Sequence, residues 1–289
     1  MTNGQKHLFC FGLGYSARLL AQQVLDEGWT VTGTTRSEEK REAIRGLGAQ
    51  AIFFDRGRPV PARAFSGVTH VVSSVPPDDN GDPVADLHGK DLAGLQTLEW
   101  AALLSTTGVY GDRDGGTVDE ESELGATNRR GELRVIAERA WLALHEAHGF
   151  PAHIFRLAGI YGPGRSPLTR AAQGKASRIV KPGLVLGRIH QEDIVGALRA
   201  SMAKPNPGRI YNLADDEPMP PQDITAYACT LLGIDSPPEI PYQEAEMPPR
   251  MREFYSDCKR VSNLRLKQEL RYQLKYPNYR AGLDALNAA

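Results

Sequence analysis

Apolar and polar positions follow two rhythms in the first half of the chain. His7–Gly14 (HLFCFGLG) is a short apolar run that stops in glycines, the pattern of a buried strand. From Tyr15 the period changes, and Ala17, Leu20, Ala21, Val24 and Leu25 recur at the three-and-four spacing of an amphipathic helix. Gly28 ends that helix, and Trp29–Thr35 predicts a second strand. A polar helix then runs from Arg36 to Gly48, and Ala49–Asp55 predicts a third strand. Thr69–Val75 predicts a fourth, stopped by Pro76 and Pro77, followed by a loop rich in Asp, Gly and Pro. Trp100–Ser105 is the fifth strand, Asn128–His148 a long helix and Ala152–Leu157 the sixth strand. Strands alternating with helices predict an α/β fold with a doubly wound parallel sheet.

Beyond Gly164 the rhythm loosens. Arg165, Arg170, Lys175, Arg178, Lys181 and Arg188 come before any acid, the first being Glu192. A helix (Gln191–Met202), a short strand (Arg209–Leu213) and a second helix (Pro221–Leu232) follow. Ser236–Arg250 has the proline and acid content of a loop, and Lys259–Leu270 and Tyr279–Leu286 have helical patterns. The expected organisation is a dinucleotide-type domain over residues 1–164. Residues 165–289 then supply returning strands and a small, mostly helical substrate lobe, behind a soft boundary.

The first strand–turn–helix unit carries chemistry. Gly12-x-Gly14-x-x-Ala17 places small residues where a dinucleotide pyrophosphate needs them, in the manner of a Rossmann fold. Gly12 permits the tight turn, Gly14 admits the phosphate to the backbone, and Ala17 lets helix and strand pack closely. The amides of Leu13, Gly14, Tyr15 and Ser16 then face the phosphates at the positive end of the helix. The second strand ends in Thr35 and Arg36, where an NAD site would hold the ribose 2′-hydroxyl with an acid. A guanidinium suits a 2′-phosphate, so the expected cofactor is NADP, with NAD the alternative. Asp55 ends the third strand and can accept from an adenine amine or serve its own turn. Ser74 and Val75, at the end of the fourth strand, complete the expected cofactor set.

Composition narrows the class. Hydrophobic residues make up 41% and charged residues 24% of the 289, with a net charge of -1. That balance gives no reason to expect nucleic acid or a membrane as partner. Cys10, Cys229 and Cys258 are odd in number and widely spaced, which fits neither a disulfide frame nor a metal site and suggests a reducing cytoplasm. The first residues, MTNGQKH, lack the apolar core of a leader, and no run is long enough to span a bilayer.

Ser105-Thr106-Thr107-Gly108-Val109-Tyr110-Gly111 and Arg156-Leu157-Ala158-Gly159-Ile160-Tyr161-Gly162-Pro163-Gly164 resemble segments of the short-chain dehydrogenase/reductase superfamily. The likeness is to its extended group of NAD(P)-dependent epimerases and dehydratases. Ile189-His190-Gln191-Glu192-Asp193-Ile194 resembles that group's later His-x-x-Asp segment. A GLG turn followed by arginine also opens dehydrogenases of the β-hydroxyacid type, but the VYG and YGPG segments decide against them. The resemblance implies that the Thr106 hydroxyl bonds a substrate carbonyl or hydroxyl. It also implies a Tyr-x-x-x-Lys pair on the next helix, and that pair is missing. Registering Ala137-Glu138 on the family's pattern puts Arg130 at the tyrosine position and Arg134 at the lysine position.

Helical geometry places Arg130 and Arg134 on the same face as Leu133, Ala137, Ala140, Trp141 and Leu144, the expected buried face. Guanidinium groups turned inward need partners, which an anionic ligand or cofactor phosphate would supply; the alternative is that both reach past the helix end to water or to a carboxylate such as Asp112. Arginine stays protonated, so neither can replace tyrosine as acid or base; Tyr110 and Tyr161 are the nearest phenols in the motifs. The expected catalytic set is Thr106, Arg130, Arg134 and Tyr110, with no metal. The expected activity is that of an NADP-dependent oxidoreductase or epimerase-like enzyme on a small anionic substrate, a nucleotide sugar among the options. The alternative is a catalytically inactive NADP(H) sensor or partner-binding protein. A homodimer is compatible with either.

Overall fold

A computed structural model describes residues 5–288; residues 1–4, part of the stretch expected to lack a leader, lie outside the described residues. In chain order the first elements are β1 (His7–Phe11), α1 (Tyr15–Asp26), β2 (Thr30–Thr35), α2 (Glu38–Arg45), β3 (Gln50–Phe53), β4 (His70–Ser73), α3 (Pro83–Ala93) and β5 (Trp100–Thr106). Then come β6 (Thr117–Val118), α4 (Arg129–His148), β7 (Ala152–Leu157), β8 (Gly159–Tyr161), α5 (Pro167–Ala172), β9 (Arg178–Val180), β10 (Arg188–His190), α6 (Gln191–Ala203) and β11 (Ile210–Leu213). The last are α7 (Pro221–Leu231), β12 (Glu239–Pro241), α8 (Pro249–Ser256), β13 (Arg260–Val261), α9 (Leu264–Glu269) and α10 (Tyr279–Ala288).

Seven strands form one sheet in the order β11-β7-β5-β4-β1-β2-β3, and the pairings from β5 to β3 are parallel. The order reverses between β1 and β4, the switch point where the crevice of a doubly wound sheet opens. The central strands are buried along nearly their whole length. Helices on both faces of a parallel sheet demand this, and it is why these strands are apolar runs rather than alternating ones. The fold class is therefore the expected one, α/β with a Rossmann-type parallel sheet.

The chain packs as two compact units. The first comprises residues up to Thr106 with Glu132–Arg156 and Leu198–Tyr211; the second comprises Thr107–Gly131, Leu157–Ala197 and the residues from Asn212 on. Each unit is assembled from separated stretches, so no single boundary, at residue 164 or elsewhere, divides them. The first unit's core joins Phe9, Phe11, Phe54, Phe65, Trp141 and Phe150. Phe9 and Phe11 lie 4.8 Å apart, and Phe54 meets Phe11 edge-on at 5.1 Å. Each such side chain contributes roughly 1.5–3 kcal/mol of burial. The second unit holds two smaller cores, around Tyr161, Ile224 and Leu283 and around Ile179, Leu184 and Tyr255. It also holds three two-stranded parallel pairs, β8–β10, β9–β12 and β6–β13.

Several expectations need correction. The loop expected after Pro77 contains α3, whose start is written in Asp82-Pro83. Asp82 Oδ1 accepts from the amides of Val84 and Ala85, and Pro83 occupies the first turn. The stretch Ser236–Arg250, expected to be a loop, contains β12 and enters α8. The helix expected over Lys259–Leu270 is shorter, because Arg260–Val261 pairs as a strand with β6. These elements are short, and their tertiary partners outweigh local propensity. Arg130 is not on a buried face: it is exposed in the first turn of α4, while Ala137 and Trp141 farther along are buried. The first turn of a helix has fewer neighbours to cover it than the middle, and a long side chain there reaches water.

Candidate cofactor and substrate sites

The turn after β1 is set by backbone demands. Gly12 has φ +79, and a Cβ there would lie 2.9 Å from Ser74 Oγ. The Gly12 amide donates to Thr34 Oγ1 at 2.8 Å, and Ser74 Oγ donates to the Gly12 carbonyl at 2.5 Å. The turn is thus pinned to β2 and to the end of β4, on either side of the switch point.

Gly14 differs. It caps α1 without a side-chain hydrogen bond, and a Cβ there would meet only Ser74 Oγ at 3.8 Å. The protein does not require glycine at position 14, which is exposed. A helix N-terminus with no side-chain cap beside a glycine that opens on solvent is the cradle a pyrophosphate takes. Ala17 is buried where α1 meets the sheet.

Of the other expected cofactor residues, Thr35 and Arg36 sit at the end of β2, where Thr35 Oγ1 accepts from the Ser37 amide and Arg36 is exposed. Both Asp55 oxygens are engaged locally, Oδ1 by the Gly57 amide at 3.0 Å and Oδ2 by Arg58 at 2.9 Å. Leu13 packs against Gly33, which has no side chain to displace it.

Thr106 ends β5, half-buried. Its neighbour Ser105 donates to Glu138 Oε1 at 2.5 Å, and Glu138 Oε2 accepts from Arg156 Nη2 at 2.8 Å. Glu138 and Arg156 are 1% and 2% exposed, a nearly dry ion pair linking α4 to β7. The pair gave no signal in the sequence, because Glu138 stands on what helical periodicity makes a flank of the apolar face.

Arg134 turns back to the sheet, with Nη1 donating to the Leu104 carbonyl at 3.0 Å and the Val75 carbonyl at 3.5 Å. It bridges the ends of β4 and β5. Its charge lies near Asp82, whose pKa is raised by burial and held back by bonds to Ala85 and Trp141 and by Arg134.

In the second unit, Tyr110 is fully buried and its hydroxyl donates to Asn212 Oδ1 at 2.7 Å. Tyr161 is also buried. Burial first, and then the charges of Asp215 and Asp193, push its phenol well above the usual range, so it does not ionise as a base near neutrality. Lys259 donates to the Gly111 carbonyl at 2.7 Å and pairs with Asp257 at 3.1 Å. Among the described residues no cluster of His, Cys, Asp and Glu could hold a metal ion. Among the described residues no helix is long and apolar enough to cross a membrane.

This parallel sheet, with a glycine turn at its switch point, has the architecture of the doubly wound α/β folds. Residues 12–214 match the NAD dependent epimerase/dehydratase family, and the chain belongs to that family. Protein YeeZ of Escherichia coli K12 is 29% identical over 293 residues, spanning 94% of this chain and 97% of YeeZ. A solved structure of a functionally unknown conserved protein from Silicibacter pomeroyi is 48% identical, with a TM-score of 0.91 over 98% of both chains. UDP-glucuronic acid 4-epimerase from Bacillus cereus, solved with NAD, shares the fold at a TM-score of 0.78 and 16% identity, over 98% of this chain and 97% of that one.

Proposed function

We propose that this protein is an NADP-preferring oxidoreductase or epimerase-like enzyme acting on a small anionic substrate. The observation that carries the reading is Gly14, an exposed glycine with space around its missing side chain, at the N-terminus of α1 and beside the switch point. The amides of Leu13, Gly14, Tyr15 and Ser16 would hold the pyrophosphate, and Arg36 the 2′-phosphate. Ser74 and Val75 would flank the turn. When bound, the nicotinamide accepts or donates a hydride. The Thr106 hydroxyl would hydrogen-bond the substrate oxygen, held in place by the neighbouring Ser105–Glu138–Arg156 network.

A second reading, a dinucleotide-binding protein without turnover, is favoured by a specific set of contacts. Arg130 is exposed, Arg134 is spent on backbone carbonyls, and the Tyr110 hydroxyl is spent on Asn212. None of these occupies the role that the family's Tyr-Lys pair fills. Fluorescence titration with NADPH and NADH tests the cofactor assignment. Stopped-flow monitoring of NADPH absorbance with a fractionated metabolite extract tests turnover. Tighter NADPH binding together with oxidation supports the enzyme; tight binding without oxidation in any fraction moves the assignment to the second reading.

A further inference from the structure

The crevice beside the glycine turn has a second edge, in the first unit, that the cofactor assignment does not use. In the sheet, β1 and β2 lie between β4 and β3. At a strand spacing of about 4.8 Å, the ends of β3 and β4 stand roughly 14 Å apart. The glycine turn follows β1 and Arg36 follows β2, so whatever those two hold is flanked by the segments after β3 and after β4. The segment after β4 begins against the turn itself: a Cβ on Gly12 would lie 3.4 Å from Val75 Cγ2.

One guanidinium ties the two flanks together. Arg56, just beyond β3, donates from Nε to Asp78 Oδ2 at 2.6 Å and from Nη2 to Asp86 Oδ2 at 2.7 Å. Asp78 stands in a tight turn after Pro76 and Pro77, closed by paired backbone bonds between Asp78 and Gly81, both 2.9 Å. Its other oxygen, Oδ1, accepts from the Asn80 amide at 2.9 Å. Gly81 has φ +118, and a Cβ there would come within 3.0 Å of Asp86 Oδ2, the oxygen that Arg56 holds. The glycine thus makes room for the second carboxylate, which α3 carries.

The fold gains little from this arrangement. The Arg56, Asp78 and Asp86 side chains are 26%, 43% and 36% exposed, and ion pairs so open to water contribute little to stability. Two prolines, a positive-φ glycine and two carboxylates nevertheless converge on one arginine at the crevice edge. We infer that Arg56 is a positioning residue of the cofactor site: it clasps the turn of residues 76–81 to the end of β3 and so fixes the outer wall of the adenosine half. The clasp rests on the dinucleotide reading above and adds what holds that half of the crevice at its width.

A clasp and a charge act differently on a ligand. The bond from Arg56 holds the Asp78 carboxyl below the usual carboxylate range, so the two groups stay oppositely charged at neutral pH. If Arg56 worked by attracting the cofactor's phosphates, removing it would weaken binding, and removing the Asp78 charge would strengthen binding. A clasp gives both changes the same sign, because losing either partner frees the same turn. The wall it fixes is common to NADPH and NADH, so both cofactors should be affected alike.

Stopped-flow displacement of NADPH and of NADH from the full chain tests the clasp. Arg56→Met and Asp78→Asn should each speed dissociation of both cofactors about tenfold. The double variant should dissociate no faster than the faster single one, because one clasp cannot be broken twice. Arg56→Lys, which can keep the Asp78 pair, should fall between wild type and Arg56→Met. Thermal unfolding midpoints should stay within a few degrees of wild type throughout. Slower dissociation from Asp78→Asn, or an effect of Arg56→Met on NADPH alone, would show charge at work and overturn the clasp. Lowered midpoints with wild-type dissociation rates would make the pair structural and overturn it equally. Either single variant decides the matter if the other does not fold. Unchanged rates in the variants remove the clasp and leave the cofactor site standing. A wild type that binds neither cofactor removes the dinucleotide reading and the clasp with it.

Discussion

At the scale of single residues, the two glycines of the β1–α1 turn separate folding from function. Gly12 is required by the chain itself, through its positive φ and its contact with Ser74. Gly14 is not required by the chain, and the function proposed above gives it its one demand, the approach of a pyrophosphate. Gly14→Val should therefore leave the thermal unfolding midpoint within a few degrees of wild type while abolishing dinucleotide binding, as measured by NADPH fluorescence. A variant that folds and still binds normally would show that the cofactor site has been misplaced. Arg36 makes the complementary prediction. Its guanidinium is exposed at the end of β2, and Arg36→Ala should weaken NADPH by roughly tenfold to a hundredfold, about 1.5–3 kcal/mol, and leave NADH unchanged. Equal NADPH and NADH affinities in wild type would remove the preference.

At the scale of elements, the end of β5 is fixed from behind by an ion pair that couples α4 to β7. Glu138 accepts from Ser105 and Arg156 in a setting with almost no water. Removing one partner strands the other, so Glu138→Gln should cost about 3–5 kcal/mol in urea denaturation. Replacing both, as Glu138→Gln with Arg156→Met, should cost less than either single change, because no charge is then left unpaired. Additive losses would show that the two groups do not depend on each other. The glycine turn, β1, α1 and β2 were legible in the sequence, because glycine chemistry and apolar periodicity act over a few residues. Glu138 and Arg156 were not, since their pairing is made by elements brought together only on folding.

At the scale of the molecule, the buried titratable groups set a stability optimum. Burial, aided by the charges of Lys6 and Arg199, lowers His70 to about 4. Burial against its backbone bonds lowers His153 to about 4. A histidine whose folded pKa lies below its unfolded value of about 6.5 leaves the unfolded chain binding more protons between pH 4 and 6.5, so stability falls as pH drops through that window. Each contributes about 2–3 kcal/mol of this loss. Asp215 acts with the opposite sign. Its pKa is raised to about 8, so the folded chain keeps a proton the unfolded chain has lost, and stability falls as pH rises from about 4 to 8. Below pH 6.5 His70 and His153, joined by His7, His88 and His190, which burial also lowers, outweigh the carboxyls of Asp215, Asp82 and Glu120, which burial raises; above it Asp215 carries the decline. Urea midpoints should peak near pH 6.5. Asp215→Asn should flatten the alkaline side, and His153→Gln should take about one proton from the acid slope. Unchanged slopes in both variants would mean that other groups govern the profile.

The sequence by itself determined the strands of the central sheet in the first half and most of the helices between them, the glycine turn and the family resemblance. Those rest on local patterns, namely apolar runs, helical spacing and glycines at fixed intervals. Only the tertiary structure decided which charged side chains are buried. Six cations in a row from Arg165 to Arg188 look alike on paper. Yet Arg178 pairs with Glu239 at the surface, Arg170 and Lys181 cap backbone carbonyls, and of these four Arg188 is set beside a buried acid. Likewise Arg130 and Arg134, four residues apart on one helix, part company, one in water and one on the sheet. A charge is buried or exposed according to what packs over it, and in this fold the covering elements come from sequence far away.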